Sequence, residues 1–220
     1  MDEVFQIERS ESGGNLYIFF GGLAAGIAMP PFEFFNASRI LDENKIFVRD
    51  LRQQWYQTGL EGITRDIPST SEFLAREIEK IAPGKVVFVG NSMGGFAAIL
   101  FCAMLGRGEA IAFAPQTIIS PWLRLRHTDA RWRRPIARTW VRSLLKPRVW
   151  NLRRILKPMK IPPRISIYVS KTDRLDRIHA AHLEGLPGVC VREFEDGGHG
   201  VVRLLRDRGE LPEIMKGSPA

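Results

Sequence analysis

The sequence predicts an α/β fold, a mostly parallel central sheet flanked by helices, and three observations support this prediction. Short apolar segments of strand character alternate with helical segments along the chain. The run Lys85–Val89 is apolar and β-branched, as in a buried parallel strand, and the unbroken apolar run Phe96–Leu105 suits a buried helix. Between these runs lies Gly90–Gly94, which reads G-x-S-x-G and joins strand to helix through a glycine-flanked serine.

Seven strands are expected along the chain, and the first is an edge strand because its residues alternate in character. The strands cover Val4–Glu8, Asn15–Phe20, Lys45–Asp50, Lys85–Val89, Glu109–Pro115, Arg164–Ser170 and Val189–Phe194. Since helical segments separate most of them, the sheet is expected to be mostly parallel.

The clearest helix start is an S-x-x-E capping box formed by Ser69 and Glu72. The helix is expected to run from there to about Ile81 and to stop at Pro83 and Gly84. Shorter helices are expected elsewhere, together with a frayed tail. The helices cover Phe32–Ile40, His179–Leu183 and a segment from about Val201, and the tail is Gly209–Ala220.

The composition is that of one soluble globular domain over residues 1–220, with 45% hydrophobic and 25% charged residues. Cys102 and Cys190 provide neither a disulfide framework nor metal-ligand spacing, and no metal or organic cofactor is implied. The apolar run Leu16–Met29 follows an acidic lead, unlike a signal peptide, and is too short and glycine-rich to span a membrane. A cytoplasmic location is therefore expected.

The G-x-S-x-G segment is typical of a nucleophile elbow. Ser92 would sit on a tight turn in a strained conformation, where close packing leaves room only for glycine at Gly90 and Gly94. Such a turn presents the hydroxyl at the end of the sheet and aims the N-terminus of the next helix at charge that develops on a substrate. The competing interpretation is a glycine-rich turn in some other α/β protein.

Taken together, four motifs resemble those of the α/β-hydrolase superfamily, over about residues 15 to 208. They are the elbow GNSMGG at Ser92, the loop FFGGLAAG after an early strand, the acid-bearing segment YVSKTDRLD and the histidine-bearing segment DGGHG. Their order along the chain, serine then aspartate then histidine, is also the order of the superfamily.

The resemblance implies a role for each of these side chains. Ser92 would be the nucleophile and His199 the base that removes its proton. Asp173, three residues past a strand, would orient His199, with Asp176 as the alternative acid. Asp176 can also be interpreted as the N-terminal residue of a helix. The remaining histidines are weaker candidates for the base, and they are His127, His179 and His182.

The oxyanion hole should consist of backbone N–H groups. The resemblance implies one donor at Met93 and a second at Gly22 or Leu23, with Gly21 allowing close approach of the backbone. An ordinary turn at Gly21 and Gly22 is the alternative. Phe20 stands where the superfamily often has a histidine, which leaves the register of this loop open.

A strongly basic segment interrupts the second half of the chain. Residues 121–164 contain 14 lysines and arginines and one acidic residue, Asp129, although the whole chain carries a net charge of +8. We call residues 120–163 the basic segment and expect it to form a helical lid between the sixth and seventh core strands. An amphipathic helix is expected in it. Its apolar residues are Trp132, Ile136, Trp140 and Leu144, with Val141 and Leu145 alongside, and its arginines are Arg131, Arg133, Arg134, Arg138 and Arg142.

Four interpretations of the basic segment remain open. Its apolar stripe can pack on the body while its arginines form a solvated face that meets acidic residues. As a lid, its Arg131, Arg134 and Arg138 can hold an anionic substrate, such as an acidic glycan, a phosphate-bearing ester or an acyl carrier. Docking on an anionic membrane surface is a third interpretation. Nucleic-acid binding is the weakest, because no recognition motif accompanies the charge.

The predicted function is that of a serine hydrolase that cleaves a carboxylic ester or thioester through an acyl-enzyme. Its substrate would be a small molecule or a polymer-linked ester. Acyl transfer to an acceptor other than water is an alternative within the enzyme class, because the same triad serves both reactions. A hypothesis from another class is a hydrolase-fold protein with an idle triad that binds an anionic glycan or lipid polymer.

Overall fold

The computed structural model of the protein describes residues 4–23, 34–143 and 149–216. Within these ranges the strands form one sheet, in the order β1-β3-β2-β4-β5-β6-β7. Their bounds are Phe5–Glu8 (β1), Leu16–Phe20 (β2), Asn44–Val48 (β3), Val86–Asn91 (β4), Glu109–Phe113 (β5), Arg164–Ser170 (β6) and Val189–Phe194 (β7). β1 pairs antiparallel with β3, and every other pairing is parallel. The predicted mostly parallel sheet is confirmed.

Helices flank the sheet and follow most of its strands. The α-helices of the described residues are Ile67–Ile81 (α1), Met93–Leu105 (α2), Pro121–Arg126 (α3), Arg133–Ser143 (α4), Leu152–Leu156 (α5), Arg174–Leu183 (α6), Val201–Asp207 (α7) and Leu211–Met215 (α8). Short 3-10 helices cover Ala37–Ile40 and Gly198–Gly200. In the part of the chain that the structure describes, no helix combines the length and apolar character needed to cross a bilayer.

Two apolar layers bury the sheet, one on each face. The layer that contains Ile18, Phe88 and α2 is the larger. Helix α2 is apolar on all sides and its residues from Met93 to Ala103 are buried, as predicted for a helix inside the core. The second layer packs α7 and α8 against the opposite face of the sheet, where Phe47 of β3 lies.

The N-cap of helix α1 lies three residues before the predicted cap, Ser69. Asp66 is its N-cap, and the Asp66 carboxylate accepts a hydrogen bond from the Ser69 backbone N–H at 2.9 Å. The Ser69 hydroxyl in turn accepts from the Asp66 N–H at 3.1 Å, so Ser69 occupies the third helical position instead of the cap. Pro68 fits the first turn because a proline there removes an N–H that has no helical acceptor.

The C-terminal tail is ordered further than the sequence suggested. Instead of fraying from Gly209, the chain forms α8, in which Leu211, Ile214 and Met215 are buried. These three side chains join the apolar layer of α7, which explains why this short helix forms. Residues 217–220 lie outside the described residues, as do the first two residues of the helix predicted at Phe32–Ile40, of which the structure describes a 3-10 helix at Ala37–Ile40.

The turn between β4 and α2 fixes the position of Ser92. Ser92 has φ 55° and ψ −115°, a conformation that L-residues rarely adopt, and α2 starts at the next residue. A methyl group on Gly90 would overlap the backbone of Gly94, and one on Gly94 would overlap the carbonyl oxygen of Phe20 at the end of β2. Both glycines are therefore required by contact between backbones, as predicted for an elbow.

We expect Gly94→Ala to lower the free energy of unfolding by about 2–4 kcal/mol, because the added methyl meets a carbonyl oxygen that cannot rotate away. Urea denaturation followed by circular dichroism measures this loss. Gly14→Ala is the matched control, since nothing lies within 4 Å of a methyl group there. Equal stability of the two variants would contradict the close packing of the elbow.

Candidate active site

The structure brings Ser92 and His199 together from positions 107 residues apart in sequence. Ser92 follows β4, and His199 lies in the 3-10 helix after β7, so both leave the sheet at the carboxyl ends of parallel strands. Gly197 and Gly198 have φ 108° and 52°, and these positive values let the chain turn back over the edge of the sheet. The Nε2 atom of His199 lies 3.1 Å from the Ser92 hydroxyl oxygen.

The acid that contacts His199 is Asp176. Its Oδ2 atom lies 2.8 Å from Nδ1 of His199. The hydrogen bond predicted for Asp173 is therefore made by the alternative residue. Asp173 is the N-cap of α6, and its Oδ1 atom accepts the N–H groups of Leu175 and Asp176, both at 2.9 Å. Since α6 starts at Arg174, the first helical turn carries Asp176 toward His199 and leaves Asp173 at the cap.

Asp176 is completely buried, and two cationic or hydrogen-bonding groups compensate its charge. His199 contacts one carboxylate oxygen, and Nη1 of Arg131 donates to the other at 2.8 Å. Burial by itself would raise the pKa of Asp176, but the hydrogen bonds and charges of His199 and Arg131 outweigh burial and lower it. The carboxylate is therefore ionised at neutral pH.

Arg131 belongs to a buried charge cluster behind the candidate site. Its Nε and its backbone N–H both donate to Oδ1 of Asp129, at 3.2 and 3.0 Å. Asp129 also pairs with Arg124 at 3.3 Å and lies 3.3 Å from Nε2 of His179. Burial lowers the pKa of His179, so this imidazole is neutral and donates to the carboxylate. His179 is thus a partner of Asp129 and does not contact Ser92.

The three arginines expected at the substrate have different environments. Arg131 points to Asp129 and Asp176, so its guanidinium is already bound. Arg134 and Arg138 are exposed on α4 and form no ion pair within the described ranges 4–23, 34–143 and 149–216. The expectation that the arginine face meets acidic residues of the body is therefore not met by these two.

The apolar stripe of the basic segment packs on the body of the protein. Ile136 is buried, and Trp132 and Trp140 are partly buried against the larger apolar layer. Val141, expected beside them, is instead 69% exposed, and residues 144–148 lie outside the described residues. The segment follows β5 and precedes β6, so in this sheet it lies between the fifth and sixth strands and not between the sixth and seventh.

Trp132 brings the basic segment to the catalytic candidates. Its ring centroid lies 6.5 Å from that of His199, with the planes at 47°. Helix α4 starts at the next residue, Arg133. The N-terminus of the helix that carries the exposed arginines therefore lies near His199.

The loop after β2 lies against the elbow, where an oxyanion hole would form. The close approach of the two backbones involves Gly94, while a methyl group on Gly21 would make only ordinary contacts with Arg49. The tight position is thus Gly94, as predicted for the elbow, whereas Gly21 has room for a methyl group. Met93 is the first residue of α2, and the first N–H groups of a helix have no acceptor within it. Gly22 and Leu23 are the last residues described before the gap at 24–33.

The family assignment rests on a comparison with known proteins. A sequence model described as alpha/beta hydrolase family matches residues 55–211, which is more than half of the chain. The chain belongs to the alpha/beta hydrolase family. No curated protein matches it significantly.

Solved structures share this fold at low sequence identity. The capsule O-acetyltransferase of Neisseria meningitidis serogroup A superposes with a TM-score of 0.72 and 13% identity, covering 96% of this chain and 90% of that one. The fluorophosphonate-binding serine hydrolase FphF of Staphylococcus aureus has a TM-score of 0.64 and 14% identity, covering 94% and 90%. MenH from S. aureus has a TM-score of 0.60 and 15% identity, with 96% of each chain covered.

The roles of two residues at the site of this hydrolase-fold chain were missed by the sequence reasoning. Arg131 was expected to bind substrate, and nothing local marked it as the partner of an acid. The second is Gln116, whose backbone N–H donates to the Ser92 carbonyl at 3.3 Å and whose side chain accepts from the Trp55 indole at 2.8 Å. It supports the serine turn from the end of β5, and no sequence motif indicated this contact.

Within the described residues, Asp173, Asp176 and His199 form a group that could hold a metal ion, because their ligand atoms lie within 4.8 Å of one another. Arg131 lies 2.8 Å from one carboxylate and 3.6 Å from the other. Since the guanidinium already compensates the negative charge at the place where a cation would bind, we assign no metal to this group.

Because the pKa of Asp176 is lowered in the folded protein, the free energy of unfolding should depend on pH in the acidic range. A carboxyl whose folded-state pKa is depressed contributes stability above its unfolded pKa, near 4, and loses that contribution as the pH falls through the folded-state value. When the pH is lowered from 5 to 3, the free energy of unfolding should therefore fall by about 1–2 kcal/mol less for Asp176→Asn than for the wild type. Urea denaturation at both pH values measures this difference.

Asp207→Asn, at an exposed position on α7, is the control and should follow the wild-type pH dependence. Parallel pH curves for Asp176→Asn and the wild type would show that the carboxylate is not stabilised in the folded state.

Proposed function

We propose that the protein is a serine-dependent enzyme that cleaves a carboxylic ester or thioester through an acyl-enzyme. The observation that carries the proposal is the continuous chain of contacts from the Ser92 hydroxyl to His199 Nε2, at 3.1 Å, and from His199 Nδ1 to Asp176, at 2.8 Å. With its proton on Nδ1, facing the carboxylate, His199 has Nε2 available to accept the hydroxyl proton.

The proposed reaction has two halves, formation and breakdown of the acyl-enzyme, and the same groups act in both. Ser92 attacks the carbonyl carbon as His199 takes the hydroxyl proton, and Asp176 stabilises the resulting imidazolium. The oxyanion is met by the N–H of Met93, at the N-terminus of α2, and by the N–H of Gly22 or Leu23. His199 then protonates the leaving alcohol or thiol. In the second half, His199 takes a proton from water or another acceptor, whose oxygen attacks the acyl carbon, and then returns that proton to the Ser92 oxygen as the acyl–serine bond breaks.

Transfer of the acyl group to a hydroxyl acceptor is the second candidate. It is favoured by the similarity to the capsule O-acetyltransferase, which aligns over nearly the whole of this chain. Hydrolysis is favoured in the same way by the similarity to the fluorophosphonate-binding serine hydrolase. The two reactions share the acyl-enzyme and differ in which nucleophile attacks it.

We further propose that the basic segment acts as a lid for an anionic substrate. The exposed Arg134 and Arg138 are four residues apart on α4 and so project from one face of the helix, which begins beside the Trp132–His199 contact. An acidic glycan, a phosphate-bearing ester or a carrier-linked acyl group suits this charge. Contact with anionic lipid headgroups would use the same arginines. Nucleic acid is disfavoured as a ligand of the basic segment by the lack of a recognition motif. The cytoplasmic location of the protein stays a prediction.

The test of the proposed function is covalent labelling with a fluorophosphonate probe. We expect one adduct on Ser92 in the folded protein, lost in Ser92→Ala, together with turnover of p-nitrophenyl acetate or an acyl-CoA thioester by the wild type alone. Mass spectrometry locates the adduct. Release of the acyl group to a supplied hydroxyl acceptor, measured against release to water, separates transferase from hydrolase.

Two aspartate variants complete this experiment. Asp176→Asn should slow labelling by about 10²–10⁴-fold, because the amide cannot stabilise the imidazolium. Asp173→Asn keeps a capping side chain and should stay within about tenfold of the wild type. The absence of an adduct on Ser92 in folded wild type would favour the idle, polymer-binding alternative.

The anionic-substrate proposal predicts a charge-dependent KM. In the double variant Arg134→Gln/Arg138→Gln we expect KM for a carboxylate-bearing ester to rise about tenfold at low salt, and KM for a neutral ester to stay unchanged. Arg154→Gln, at an exposed position on α5, is the control. Equal effects on the two esters would contradict the proposal, and loss of binding to anionic vesicles without a change in KM would favour membrane docking.

A further inference from the structure

We infer that Arg131 is a positioning residue for the proposed triad, which holds the Asp176 carboxylate in place for His199 and couples the basic segment to the active site. The inference rests on the proposed function, since it concerns the same three side chains. It differs from the substrate-binding role expected for Arg131, because the guanidinium contacts the acid and not the space above Ser92.

The Asp176 carboxylate is shared between two partners. Arg131 Nη1 donates to Oδ1 at 2.8 Å, and His199 Nδ1 lies 2.8 Å from Oδ2. A carboxylate bound at only one oxygen can rotate about its Cβ–Cγ bond and present either oxygen to the imidazole. With one oxygen occupied by Arg131, the other faces His199, which is the arrangement that fixes the imidazole tautomer.

Arg131 is itself held on a second side. Its backbone N–H, Nε and Nη2 donate to the Asp129 carboxylate at 3.0, 3.2 and 3.4 Å. The side chain of Asp129 is buried and is also bound by Arg124, in the last turn of α3. The guanidinium therefore has two fixed contacts and cannot swing toward solvent without breaking buried charge pairs.

The charges that face Asp176 come from three elements of the structure. Arg131 and Asp129 belong to the basic segment, and Asp129 acts on Asp176 only through Arg131. Asp173 caps α6, and His199 follows β7. His179, also on α6, binds Asp129 and is neutral because burial lowers its pKa. Arg131 is the one fixed cation in contact with Asp176 among the described residues.

Loss of the guanidinium has a consequence that a purely structural residue would not cause. Without this cation, less of the Asp176 charge is compensated, and the His199–Asp176 pair binds a proton more readily. The protonated pair cannot accept the Ser92 proton, so the acidic limb of the pH–rate profile moves to higher pH. We expect a displacement of about one pH unit.

The coupling also has a structural consequence. Arg131 lies 45 residues before Asp176, in the segment between β5 and β6, and precedes Trp132, which lies beside His199. A displacement of the basic segment would therefore remove both contacts from the pair at once. The lid is in this way part of the proposed catalytic apparatus.

The experiment compares Arg131→Met, Arg131→Lys and the control Arg133→Met. It measures the rate constant for fluorophosphonate labelling of Ser92 between pH 5 and pH 9, and the downfield proton resonance of the His199 Nδ1–H. Arg133 is exposed and forms no ion pair with the described part of the chain, so its variant should match the wild type.

For Arg131→Met we expect labelling at pH 7 to slow by about 10–100-fold, the acidic limb to move up by about one pH unit, and the downfield resonance to broaden or disappear. Arg131→Lys keeps the cation but forms fewer hydrogen bonds. It should restore the position of the limb and recover only part of the rate.

If Arg131→Met is labelled at the wild-type rate and the acidic limb of its pH–rate profile is unmoved, the inference is overturned while the proposed function stays intact. If instead the wild type is not labelled, the proposed function fails, and an unchanged downfield resonance in Arg131→Met would then overturn the positioning role separately. Should circular dichroism show that the methionine variant is unfolded, the lysine variant decides, because an unchanged rate there would contradict a role for the two-sided contact.

Discussion

The contact between the turn after β4 and the end of β2 is the constraint on which the rest of the site depends. Gly94 lies against the Phe20 carbonyl so closely that no side chain fits, and Ser92 takes up the resulting strain with φ 55°. Parallel pairing of β2 with β4 holds the two backbones at this distance. The serine is thereby fixed at the sheet edge by main-chain packing, before any other site residue contributes.

The candidate triad depends on a second constraint, the compensation of buried charge. Asp176 has no contact with water, and an isolated carboxylate there would be neutral. Arg131 and His199 together keep it ionised, and Asp129 holds Arg131 in turn. The basic segment therefore contributes in two ways: its first arginines balance acids inside the protein, while Arg134 and Arg138 remain exposed on α4.

The family match and the similar solved structures establish the fold, and the chemistry proposed for this chain depends on its own side chains. At 13–15% identity, the O-acetyltransferase and serine hydrolase structures share the arrangement of sheet and helices with it. In this chain an arginine lies beside the candidate triad acid, and a basic helix starts next to His199. These features are the basis of the proposals that the substrate is anionic and that the basic segment is a lid coupled to the active site.

The sequence by itself determined the strands, the buried helix α2 and the elbow at Ser92, because apolar periodicity and glycine spacing act over a few residues. The pairing of Ser92 with His199, 107 residues away, was expected only from the family resemblance. The sequence did not determine which aspartate contacts His199. Asp173 and Asp176 lie within one turn, and the choice depends on where α6 begins and on Arg131, 45 residues away. Only the tertiary structure decided this, since the compensation of a buried charge is set by which distant side chains the packed fold brings to it.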